Sequence, residues 1–186
     1  MLPALKTLTL REPAAGPDGV QQLAAGLGAG ALPAVTQLYI VDTHVGDAGA
    51  SVLAAALGKG ALPRLKSLVL RDAAIGDAAL VALAPALRQR PALEELRFFG
   101  NPFGDEGLAA LVAPPPPAGA PPPTTGGLAQ LKALKLSSTQ ITDAGCATLA
   151  AALESGALPA LDHPFLFLDG IHASHAAKSR LLDAFL

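Results

Sequence analysis

The sequence predicts an α/β solenoid, with parallel strands in one sheet and a helix after each strand on the opposite side. Two observations carry this. A unit of strand, tight turn and helix recurs along most of the chain. Each unit also carries an apolar stripe that it cannot bury alone, so units must stack. The clearest copy spans 61–87, ALPRLKSLVLRDAAIGDAALVALAPAL.

In that copy Leu68 and Leu70 alternate with Ser67, Val69 and Arg71, as on a strand with one buried face. Asp72 and Ala73 leave the strand, and Ile75 is expected to point back into the core. Asp77 is expected to cap its own helix, since a carboxylate accepts from the unpaired N–H groups of a first turn. Leu80, Leu83 and Leu87 form the stripe. Pro85 inside the helix predicts a kink or an irregular turn.

The first strand leucine of each copy falls at Leu5, Val35, Leu65, Leu93 and Leu131, at steps of 30, 30, 28 and 38 residues. The paired strand positions are Leu8/Leu10, Leu38/Ile40, Leu68/Leu70, Leu96/Phe98 and Leu134/Leu136. The apolar turn position is Ala15, Val45, Ile75, Phe103 and Ile141, and the helix-opening acid is Asp18, Asp47, Asp77, Asp105 and Asp143. Gly28, Gly58 and Gly156 are placed where a helix end needs a left-handed residue.

This pattern resembles the leucine-rich repeat of the ribonuclease-inhibitor type. The best match is ITDAGCATLAAAL over 141–153. The resemblance implies a horseshoe with strands on the concave side and helices on the convex side. It also implies protein binding, as in sensor proteins of innate immunity and the Ran GTPase-activating proteins. The position that the family fills with Asn or Cys holds Pro13, Thr43, Ala73, Asn101 and Thr139. Only Asn101 offers the usual amide, Thr hydroxyls substitute in part, and the first and third turns are expected to be looser.

The totals bound the function. With 186 residues, 51% of them apolar, one domain with a large core is expected. A net charge of −2 argues against nucleic acid as a partner. Cys146 is the only cysteine, which excludes an intrachain disulfide and fits a reducing, cytoplasmic setting. Met1 leads straight into a repeat with no signal peptide, and the longest uncharged runs contain Gly, Pro and Gln, so neither export nor a membrane span is expected. No cap precedes Leu5, which predicts either a piece of a longer array or a first repeat that pairs with another surface.

Residues 1–161 are read as the repeat domain and 162–186 as a C-terminal capping segment with a final amphipathic helix. The insert 113–127, APPPPAGAPPPTTGG, stops the fourth helix near Val112 and is expected to be a tolerated surface loop whose deletion leaves the melt unchanged. A docking role for its prolines is the competing reading. Asp169, His172, His175 and His163 lie close in sequence but read as solvated or capping groups, so no metal or other cofactor is expected. Cys146 reads as a small buried hydrophobe, and no catalytic arrangement appears.

The candidate site is therefore a surface. Alternation turns Tyr39, Val69, Arg97 and Lys135 outward as one column, and Val41, Arg71, Phe99 and Ser137 as the next. Tyr39, Arg71, Arg97, Phe99 and Lys135 are expected to bind a protein partner with an acidic segment on the concave sheet. Two other functions fit the repeats: regulation of a small GTPase, and a spacer within a larger sensor protein. Ser67, also read as outward, is expected to tolerate alanine.

Overall fold

The computed structural model of the protein describes residues 5–11, 16–27, 30, 32–112 and 127–185. Six strands form one open sheet, all parallel and in sequence order. They are β1 (Thr7–Leu10), β2 (Gln37–Val41), β3 (Ser67–Arg71), β4 (Glu95–Arg97), β5 (Ala133–Lys135) and β6 (Leu166–Phe167). The helices are α1 (Gly16–Gly26), α2 (Gly46–Gly58), α3 (Asp77–Arg88), α4 (Asp105–Leu111), α5 (Asp143–Glu154) and α6 (His175–Asp183). Each helix packs on the next. The sixth strand, in the segment read as a cap, extends the sheet by pairing Leu166 with Leu134.

The core lies between sheet and helices. Leu38, Ile40, Leu68, Leu70, Leu96, Leu134 and Leu136 have no exposure, and neither do Leu80, Leu83 and Leu87 of the α3 stripe. Such close stacking brings each backbone near the next. The carbonyl of Lys6 accepts from Thr36 and Gln37, that of Thr36 from Lys66 and Ser67, and that of Lys66 from Glu94 and Glu95.

Four local expectations are corrected. The helix-opening acids Asp47, Asp77, Asp105 and Asp143 cap the helix of the following repeat rather than their own. Asp47 accepts from Gly76 N at 2.9 Å, and Asp77 from Gly104 N and Gly107 N, both at 2.8 Å. Asp105 accepts from Thr142 N at 2.9 Å, and Asp143 from Ser174 N at 2.6 Å. Gly107 and Gly145, each two residues after its own repeat's acid, make room for the preceding repeat's carboxylate. A Cβ on Gly107 would stand 2.8 Å from Asp77 Oδ1. One Asp per repeat thus satisfies a helix start and joins two repeats at once.

The third turn is not left without an amide. Asn101 reaches back one repeat, accepting at Oδ1 from Ala73 N at 3.0 Å and Ile75 N at 3.1 Å, and donating to Leu70 O at 2.7 Å and Phe98 O at 2.8 Å. The first turn, with Pro13 and Ala15, lies outside the described residues. Of the two threonines, Thr139 donates to Leu136 O at 2.8 Å, while the buried Thr43 hydroxyl meets no partner among the described residues.

The left-handed residue of the second repeat is Gly60, at φ 91°, and Gly58 is still helical; Gly156 is left-handed as expected, and Gly28 lies outside the described residues. Helix α3 runs unbroken through Pro85. Pro85 and Val81, whose carbonyl loses its N–H there, both sit on the exposed side, where solvent can replace the bond. Ser67 is buried rather than exposed, and donates to Glu95 at 2.8 Å. Residues 113–126 of the insert lie outside the description, and α4 ends at Leu111 before it. Its end is held by Arg88, which donates to the Ala110 carbonyl.

Candidate functional site

The sheet has an outer face turned away from the helices. Register brings the predicted first column together: Tyr39 lies beside Val69, Val69 beside Arg97, and Arg97 beside Lys135. Val69 is nearly as buried as the core, so the column is a covered floor at its centre with Tyr39, Arg97 and Lys135 half-buried around it. In the second column Val41 pairs with Arg71, and the Arg71 guanidinium lies 5.7 Å from the Phe99 ring centroid. Phe99 itself lies just beyond β4.

The charges on this face are largely paired. Arg71 bridges Asp42 at 2.7 Å and Asp72 at 3.0 Å. Arg97 Nη2 holds Glu95 at 2.5 Å. Glu94 joins Lys66 at 2.8 Å and Lys132 at 3.1 Å, and Arg11 reaches Asp42 at 3.4 Å. The Arg71 hydrogen bond lowers the Asp42 pKa, and the Lys66 and Lys132 ammonium groups lower that of Glu94. Lys135 differs. Its Nζ lies 4.2 Å from the Phe167 ring centroid, and it has no carboxylate partner among the described residues. Such pairs at a solvated surface fix side-chain positions more than they stabilise the fold.

The other groups weighed from the sequence have structural surroundings. Cys146 is buried under α6, and burial raises its thiol pKa. His163 meets Phe185 edge-on at 5.7 Å, His172 N donates to the Ile141 carbonyl, and His175 lies near Ser179 at 3.4 Å. Among the described residues no three His, Cys, Asp or Glu side chains converge as metal ligands. No helix there is long and apolar enough to cross a membrane.

Three segments, 62–84, 91–112 and 130–150, match the family model described as Leucine Rich repeat. These three segments carry leucine-rich repeats, and the described residues form an open α/β solenoid. No curated protein matches it in sequence. Among solved structures it is similar to leiomodin-1 actin-binding site 2, at 16% identity and TM-score 0.49, over 98% of this chain and 81% of that one. It is also similar to an internalin from Listeria monocytogenes, at 18% identity and TM-score 0.47, over 97% of this chain and 46% of that one.

Sequence reasoning missed two features of the solenoid's outer face. It did not credit Glu94 and Glu95 with neutralising their basic neighbours, although Glu95 alternates onto the same face as Arg97. It also missed Phe167, which the register of Leu134 with Leu166 places next to Lys135. Carrying the alternation one repeat further would have found it.

Proposed function

We propose that this solenoid, of the ribonuclease-inhibitor-like type, is a non-catalytic module that binds a protein partner on its outer, concave sheet face. Tyr39, Arg71, Arg97, Phe99 and Lys135 make the contacts, and the partner supplies an acidic segment. The observation that carries the reading is the register of these side chains. Tyr39, Arg71, Arg97 and Lys135 stand in columns on rigid parallel strands, Phe99 lies two residues beyond β4 beside the Arg71 guanidinium, and none of the five belongs to the core. The helix-opening aspartates, Asn101 and Cys146, by contrast, all have structural work. Aromatic and Arg side chains held in place by neighbours are effective interface anchors, because little rotamer freedom remains to be lost on binding.

The test is selection of binding proteins from a displayed library on the folded chain, followed by substitution. Arg97→Ala and Phe99→Ala should each weaken a selected binder by more than about 1 kcal/mol while leaving the melt in place. Val81→Glu on the exposed side of α3 should have no effect. Normal binding by the first two variants and loss by the third would refute the assignment.

A further inference from the structure

We infer that the β5–β6 corner of the outer face, formed by Lys135, Phe167 and Phe165, is the anchor point for an acidic peptide segment with an apolar side chain beside its carboxylate. This rests on the reading of the outer face as the binding surface and narrows it to one end. Of the three cations on outward strand positions, Arg71 and Arg97 hold carboxylates of their own sheet. An incoming acid at either must compete with a carboxylate already in place. Among the described residues Lys135 has only the π face of Phe167. A ring holds an ammonium more weakly than a carboxylate does, and an ammonium has three N–H donors, so some remain to be satisfied. Lys135 is thus positioned by the ring and still able to bond.

The apolar half of the site adjoins it. Phe165 is 48% exposed, more than any other large hydrophobic side chain among the described residues. Phe167 is half-buried, and Ala133, two residues before Lys135 on the same face, adds no bulk. One cation beside two aromatic rings suits a carboxylate flanked by an apolar side chain. It does not suit a nucleic acid, whose affinity needs several unpaired cations along a phosphate backbone. The other basic groups of this face are mostly spent on Asp42, Asp72, Glu94 and Glu95.

The experiment is selection from a random peptide display library on the immobilised full chain, with the enriched peptides then titrated against variants. Enriched peptides should be acidic with an adjacent apolar residue. Lys135→Gln should lower their affinity at least about tenfold, and so should Phe167→Ala. Arg97→Ala should lower it by a smaller factor than Lys135→Gln does. Lys135→Gln is a change at a half-exposed side chain, so the result stands even if Phe167→Ala proves unstable. Loss with Tyr39→Ala and Arg97→Ala but not with Lys135→Gln would overturn the corner and leave the outer-face reading intact. Peptides indifferent to every outer-face substitution would overturn both. Enrichment of basic or uncharged peptides, or of none, would overturn the acidic anchor.

Discussion

Asn101 bonds five backbone groups across two repeats, so its removal exposes how much one amide carries. Asn101→Ala leaves buried N–H and carbonyl groups without partners and should cost about 3 kcal/mol or more in urea melts. Thr139→Ala at the equivalent position should cost about 0.5–1.5 kcal/mol, because among the described residues the Thr139 hydroxyl donates only to the Leu136 carbonyl. Glycines give the matching contrast. A Cβ on Gly145 would press on the Asp105 carboxylate and stand 2.7 Å from Ile141 Cγ2. Gly145→Ala should therefore destabilise by about 1–3 kcal/mol. Gly58 is helical with nothing within 4 Å of a built Cβ, and Gly58→Ala should stabilise by about 0.4–1 kcal/mol. Equal effects at the two glycines would contradict the inter-repeat capping.

Strands and helices obey the alternation, and their joints do not. Leu68 is fully buried, and Leu68→Ala should cost about 2–5 kcal/mol. Ser67→Ala, next to it on the other face, should cost about 0.5–1.5 kcal/mol through its bond to Glu95. Between α5 and α6, hydrogen bonds from the Ser174 backbone and side chain lower the Asp143 pKa. The unfolded chain then takes up that proton more readily than the folded one. The stabilisation is present above the unfolded value, about 3.9, and is lost as pH falls through the lower folded value. Asp42 and Glu94 act in the same direction. Melts taken from about pH 5 downwards should show falling stability, and Asp143→Asn should shrink that fall. An identical acid profile in the variant would remove Asp143 from the joint. The strands, the stripe and the aspartate column were legible in sequence because each depends on local periodicity. The targets of Asp77 and Asn101 were not, because their partners lie about one repeat away and only stacking brings them together.

At the scale of the whole molecule, stacking in register turns a linear repeat into a surface. The columns were legible because parallel strands in phase place equivalent residues side by side. The electrostatics were less so. Whether Arg71, Arg97 and Lys135 are paired depends on side-chain reach across strands, which spacing alone does not give. The binding surface on the outer sheet face is the central claim. It is tested most directly by photo-crosslinking a selected binder to the chain carrying a benzophenone side chain at one position at a time. Gln37 and Ala133 probe the sheet, and Val81 and Ala147 probe the exposed sides of α3 and α5. The account predicts crosslinks from Gln37 and Ala133 and none from Val81 or Ala147. Crosslinks from the helix positions alone would contradict it.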